Sequence, residues 1–269
     1  MWQRIKTAIV LVIIVGIAMF ASQTPVLFAP LLAVGVIIAA HEWAKLMPKW
    51  RQPIVFVLMV LAITIVSLML EMTWLFWWVA SLVIWCMALS WVRVFPTQTR
   101  WYGKQLAMMG VVILTASITA MFYLWQLSAW WLLYVFLLVW CADSGAYFVG
   151  RKLGRRKMAP NVSPNKSMEG LAGGLVTGLL VVVAISLFKL QLTGTALVAF
   201  VALSALTILA SVLGDLFESM LKRRADVKDS GTILPGHGGV LDRIDSLLSA
   251  TPIFALGFWA IQHFGLMAV

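Results

Sequence analysis

Of 269 residues, 62% are hydrophobic and only 11% charged, whereas soluble domains carry about a quarter charged residues, so an ordinary water-soluble globule is excluded. Apolar stretches of about twenty residues consume most of the length and leave no room for a separate soluble domain, so residues 1–269 read as a single polytopic membrane domain. The net charge of +10 favours anionic lipid headgroups and nucleotides as partners. Nucleic acid is not expected, because the basic residues sit in short loops with no module to present them.

In chain order, hydrophobic runs predict nine spans, at 6–22, 25–44, 53–70, 73–92, 105–125, 128–149, 170–189, 194–217 and 246–268. The expected fold is therefore an all-α integral membrane protein of about nine transmembrane helices. The opening MWQRIK and its apolar run resemble a secretory signal in layout, but no small-x-small cleavage site follows, and a retained first span is the reading. With the N-terminus cytoplasmic and the C-terminus outside, every Lys and Arg except Lys189 falls on the cytoplasmic side, which supports both count and orientation. Trp43, Trp50, Trp74, Trp91, Trp101, Trp130 and Trp259 lie at junctions and are expected to be interfacial anchors. Cys86 and Cys141 fall inside apolar runs as small core residues, without disulfide or metal spacing.

The first half is nearly pure span, and the acidic residues concentrate between Asp143 and Asp245, the catalytic part being roughly 140–250. WCADSGAYFVGR places Asp143 and Ser144 within the sixth apolar stretch, where an unpaired carboxylate is costly and calls for a cation or donor. The basic run Arg151 to Lys157 reads most simply as a topology determinant. Ser163, Lys166, Ser167 and Glu169 in SPNKSMEG combine hydroxyl, ammonium and carboxylate just before a glycine-rich span, a mix that could line a nucleotide site at a helix N-terminus.

In SVLGDLFESMLKR, continued helix puts Asp215, Glu218, Ser219 and Lys222 on one face. The alternative is a solvated helix end with local ion pairs. LDRIDS places Asp242 and Asp245 three apart at the start of the ninth span. Two carboxylates on one face suit a hard cation such as Mg²⁺, which is commonly completed by substrate phosphates; the competing reading is acidic capping of a first turn. Between them lie Lys222, Arg223, Arg224, Lys228 and the turn PGHGG, where Gly236, Gly238 and Gly239 permit close backbone approach and the cations suit phosphate oxygens. A positive-inside loop with a glycine turn accounts for the same residues. His237, alone among glycines, is weak evidence for a general base.

The stretch from Ser219 to Asp245 resembles the signature of the phosphatidate cytidylyltransferases, or CDP-diacylglycerol synthases. Its pattern reads S-x-apolar-K-R, then K-D, then P-x-H-G-G-apolar-x-D-R-apolar-D. Ser219, Lys222, Arg223, Lys228, Asp229, Pro235, His237, Gly238, Gly239, Asp242, Arg243 and Asp245 occupy the fixed positions. WCADSGAYFVGR, SPNKSMEG and SVLGDLFES look like further blocks of that family, so the resemblance covers about 140–245 closely.

The resemblance implies transfer of a cytidylyl group from CTP to phosphatidic acid, giving CDP-diacylglycerol and pyrophosphate. It further implies a homodimer in the cell (inner) membrane, its site facing the cytoplasm, and a metal centre of Asp215, Asp242 and Asp245 holding Mg²⁺, with K⁺ as a second cation. On that reading Lys222, Arg223, Lys228 and Arg243 are expected to clamp phosphates, and Asp143, Ser144, Ser163, Lys166 and Glu169 to serve the nucleotide. Ser219, Asp229, Gly238 and Gly239 complete the expected substrate site, with His237 in support. A transporter using the aspartates for a coupling ion is disfavoured by the lack of internal repeats. A CDP-alcohol phosphotransferase is disfavoured because D-x-x-D-G-x-x-A-R is absent.

Overall fold

The computed structural model describes residues 2–47, 50, 52–97, 103–236 and 238–266; the side chains of residues 3–5 are excepted. Among them nine α-helices follow in order: α1 Trp2–Phe20, α2 Phe28–Lys45, α3 Pro53–Met69, α4 Trp74–Val94, α5 Lys104–Leu127, α6 Ala129–Leu153, α7 Met168–Ala184, α8 Gly194–Arg224 and α9 Leu241–His263. Seven helical segments are long and apolar enough to cross a membrane, α1 and α3 being the shorter apolar helices. This is the build of a multi-pass membrane protein, with helices as the main structure because lipid offers no partners to an open backbone.

Local chemistry sets several boundaries. Pro53 opens α3 at a position where a missing N–H costs nothing. Ser128 and Ser167 cap α6 and α7 by accepting from Trp130 N and Gly170 N. The polar connection after α6 is not a loop: β1 Lys157–Ala159 and β2 Ser163–Ser167 form an antiparallel hairpin, with Lys157 opposite Ser167. Their three and five residues carry too little alternation to be read from sequence.

Helix α5 runs through the core. Ser117 Oγ on α5 donates to the Leu248 carbonyl of α9 at 2.8 Å, and Trp78 Nε1 on α4 donates to Thr119 Oγ1 at 3.2 Å. Two expected interfacial anchors lie in this core. Trp43, 1% exposed, donates to the Leu106 carbonyl, and Trp74, 5% exposed, to the Ser67 carbonyl; each satisfies its indole N–H internally, as a buried Trp must. Trp130 is exposed as an anchor would be, and Trp101 lies outside the described residues. Cys86 is exposed and Cys141 half-buried, so neither is a fully enclosed core residue.

Small residues bring the helices of the second half close together. Gly174 of α7 lies against the Ala142 carbonyl of α6, and Gly145 of α6 against Thr177 of α7. Gly214 of α8 packs on the backbone of α9 at Asp245, where a Cβ would stand 2.5 Å from the Asp245 carbonyl oxygen. Such contacts are how helices associate where apolar burial gives no bias between lipid and protein.

Candidate active site

Helix α8 does not stop at residue 217 but continues to Arg224, and α9 begins at Leu241. Lys222 and Arg223 therefore stand on a helix, and Asp242 and Asp245 both belong to the opening turns of the next. The close approach at Gly214 sets Asp215 beside Asp245. A cavity of about 460 Å³ opens there, lined by Val139, Trp140 and Asp143 of α6, Asp215 and Lys222 of α8, Asp229 of the connecting loop, and Asp242, Arg243, Asp245, Ser246 and Leu247 of α9.

The lining is more acidic than the surrounding loops suggest: five aspartates face two cations, Lys222 and Arg243. Asp215 is near enough to repel both Asp143 and Asp245, and Lys166 is near enough to attract both Asp143 and Asp245. From β2, Lys166 Nζ meets Asp215 Oδ2 at 2.5 Å, while Ser219 Oγ donates to Asp215 Oδ1 at 3.3 Å. Asp245 Oδ1 accepts from the Ser246 N–H at 2.7 Å.

Asp242 is held differently. Its Oδ1 meets Lys222 Nζ at 2.7 Å, and its Oδ2 accepts from Ser230 N at 2.9 Å, Ser230 Oγ at 2.9 Å and Gly239 N at 2.8 Å. Gly238 adopts φ +82°, and a Cβ there would lie 2.7 Å from Asp242 Oδ2, so this turn accepts glycine on both counts. Lys222 also pairs with Glu218, one turn back on α8, whose side chain is only 2% exposed. Lys222 is thus a half-buried bridge between two carboxylates.

The remaining expected site residues spread over the rim. Glu169 accepts from Arg155 N at 2.9 Å and Arg156 N at 3.1 Å and pairs with the Arg156 side chain, tying the segment between α6 and β1 to α7. Ser144 donates to its own helix at the Trp140 carbonyl, and Arg223 Nε to the Val162 carbonyl at 3.4 Å. Ser163 is half-buried on β2 and Lys228 exposed on the loop; neither lines the cavity. His237 lies outside the described residues.

One residue was absent from the sequence expectations. Glu42 of α2 is fully buried, and its carboxylate accepts from Val240 N at 3.1 Å and Leu241 N at 2.7 Å, at the start of α9. The signal available in HEWAK was a carboxylate inside an apolar stretch, which is costly unless it meets donors.

The carboxylates are hard oxygen donors of the kind Mg²⁺ takes, and that ion is commonly held by one or two of them together with substrate phosphates. Asp215 and Asp245 fit this description. Among the described residues no three His, Cys, Asp or Glu side chains gather closely enough to hold a metal by themselves, and Asp242 could join only by giving up donors it already has.

The model of the cytidylyltransferase family matches residues 2–261. The chain belongs to the cytidylyltransferase family. Among its relatives in this family, a protein of Pseudomonas aeruginosa named phosphatidate cytidylyltransferase is 39% identical over 96% of this chain and 97% of its own length. A protein of the same name from Haemophilus influenzae is 55% identical over 48% of this chain, and one from Bacillus subtilis is 49% identical over 47%. In each of the last two alignments the matched part spans 46% of the relative, less than half its length. Membership in this cytidylyltransferase family makes the chain an enzyme, and the acidic cavity is its candidate active site.

Proposed function

We propose that this cytidylyltransferase uses CTP and phosphatidic acid to form CDP-diacylglycerol and pyrophosphate. The observation that carries the reading is the cavity where α6, α8 and α9 meet, which gathers Asp143, Asp215 and Asp245 beside Lys222 and Arg243 in a chain of this family. The names of the relatives supply the lipid substrate.

A phosphate monoester carries roughly −1.5 to −2 charge near neutral pH, so the lipid phosphate is a nucleophile without a strong protein base. One of its oxygens bonds to the α-phosphorus of CTP as the bond from that phosphorus to the bridging β-phosphate oxygen breaks, and pyrophosphate leaves with the electron pair. Catalysis is then positioning and charge stabilisation. Arg243 and Lys222 stand on the cavity wall to meet phosphate oxygens, with Arg223 and Lys228 toward the loop side; His237 is assigned a supporting role. Asp143, Ser144, Ser163, Lys166 and Glu169 belong to the nucleotide side, and Ser219, Asp229, Gly238 and Gly239 to the substrate-facing frame.

Asp215 and Asp245 would hold Mg²⁺, with Asp242 fixing the adjoining loop or joining them once substrate displaces its donors. The ion, when bound, neutralises phosphate charge against a wall that otherwise repels a triphosphate. K⁺ is the proposed second cation.

The reading includes nine spans, α1 and α3 crossing as short ones, with the N-terminus cytoplasmic, the C-terminus outside and the cavity open to the cytoplasm. It also includes one domain, a homodimer and a place in the cell (inner) membrane. Trp140 both lines the cavity and is 45% exposed, so the lipid phosphate can reach the cavity past α6 while its acyl chains stay in the bilayer.

The test is purified protein in detergent with phosphatidic acid, labelled CTP and Mg²⁺. A CDP-lipid and pyrophosphate in equal amounts are expected; well-folded protein that makes no CDP-lipid would refute the reading.

A further inference from the structure

Two carboxylates precede Asp143, and they differ completely: Glu71 is exposed, whereas Glu42 is fully buried. A buried carboxylate is tolerated when its oxygens are met by donors. For Glu42 those donors come from the active-site loop and the first turn of α9. Oε1 accepts from Val240 N and Oε2 from Leu241 N, with Ser230 Oγ also within reach of Oε2 at 3.4 Å. The start of a helix has N–H groups without intrahelical partners and favours negative charge, so the placement is stabilising.

The loop is shaped around this side chain. A Cβ on Gly231 would overlap the Glu42 carboxylate, and one on Gly239 would lie 2.5 Å from both of its oxygens. Ser230 is shared: its hydroxyl lies 2.9 Å from Asp242 Oδ2 and 3.4 Å from Glu42 Oε2. Glu42 and Asp242 together therefore pin the loop at both ends, at Ser230 and at residues 239–241. Asp229, next to Ser230, and Arg243, two residues beyond Leu241 in the first turn of α9, both line the cavity.

We propose that Glu42 is a positioning residue: from α2 it holds the loop of residues 226–240 and the first turn of α9 so that Asp229 and Arg243 face the substrate cavity. The proposal rests on the reading of the cavity as the site of cytidylyl transfer. Glu42 does not touch substrate. Its action passes through the backbone of Val240 and Leu241 and through Ser230.

The test compares wild type with Glu42→Gln in detergent, using two readouts. Gln keeps the shape but turns an NH₂ group toward N–H donors, so at least one charge-assisted bond is lost. KM for CTP is expected to rise roughly tenfold to a hundredfold, with kcat changed less. Trypsin cleavage after the exposed Lys228 is expected to speed up by a comparable factor while the melting temperature of the folded protein holds. Gly231→Ala, which pushes a Cβ into the Glu42 carboxylate, approaches the same contact from the loop side, should reproduce both effects, and substitutes for Glu42→Gln should that variant not insert.

Unchanged KM and unchanged cleavage at Lys228 would overturn the proposal. So would a fall in kcat with KM for CTP and the cleavage rate at wild-type levels, which is the mark of a smaller active fraction. Wild-type protein that forms no CDP-lipid would remove the cytidylyl-transfer reading, while the trypsin comparison would still report whether Glu42 holds the loop.

Discussion

Gly214→Ala is the substitution whose cost the packing lets one work out. The added methyl would stand 2.5 Å from the Asp245 carbonyl oxygen, about 0.9 Å inside ordinary van der Waals contact at 3.4 Å, and would also meet Ser249 Oγ. A helix carbonyl cannot step aside, so α8 and α9 must part by most of that distance where Asp215 and Asp245 face each other. Overpacking of this kind costs about 1–3 kcal/mol of stability. A misplacement near 1 Å in a catalytic arrangement costs on the order of 100-fold in rate. The assay is the initial rate of CDP-lipid formation from protein that elutes as a single folded species. Gly257→Ala is the control, because there the atoms nearest the methyl all belong to the Leu203 side chain, about 18 Å farther along α9. Leu203 can change rotamer, so activity should stay within about threefold of wild type. Gly214→Ala within about threefold of wild type, or Gly257→Ala as impaired as Gly214→Ala, would refute the reasoning.

Asp245→Asn should abolish turnover while leaving the protein inserted and folded; activity retained at ordinary Mg²⁺ would remove Asp245 from the cation site. Chelation of divalent ions should stop CDP-lipid formation and added Mg²⁺ restore it, so activity that persists in excess chelator would exclude the metal-assisted scheme. Lys222→Met leaves Glu218 and Asp242 buried without their shared cation, and about 3–5 kcal/mol of stability should be lost. Adding Glu218→Gln should recover part of it, read as thermal retention of the monodisperse peak in detergent; a double variant no more stable than the single one would count against the bridge. Lys166→Ala should lower activity by freeing the Asp215 carboxylate, with kcat/KM for CTP the quantity to measure.

The helical spacing that placed Asp215, Glu218, Ser219 and Lys222 together was readable because 3.6-residue periodicity is a local property, and α8 does run on through Arg224. The same locality made Asp242 and Asp245 visible as a pair in one helix. Their separate duties were not visible, because Asp242 is defined by Ser230, Gly239 and Lys222, which depend on how the loop folds back. Glu42 was unreadable for a related reason: it bonds a backbone N–H 199 positions away, and the Ser230 hydroxyl near it carries no charge to betray the pairing. Trp43 and Trp74 were assigned to the interface because indoles favour it; tertiary carbonyl partners claimed them instead. Lys222, Arg223, Lys228 and Arg243 were expected to clamp phosphates, and of these Lys222 and Arg243 line the cavity. The rest of the lining is mainly acidic, because Asp143, Asp215, Asp229, Asp242 and Asp245 converge there from α6, α8, the loop and α9.

The bond from Glu42 to the head of α9 also bears on how the site comes into being. Ribosomal synthesis delivers α2 early and α9 last, so the loop between α8 and α9 can take its final form only after nearly the whole chain has been made and inserted. A fragment of residues 140–250, although it carries every signature block, would lack the Glu42 carboxylate that Val240 N–H and Leu241 N–H meet at the head of α9. With Glu42 positioning the loop as proposed, cytidylyl transfer is expected to require the completed bundle, and the motif-dense half alone to be inactive.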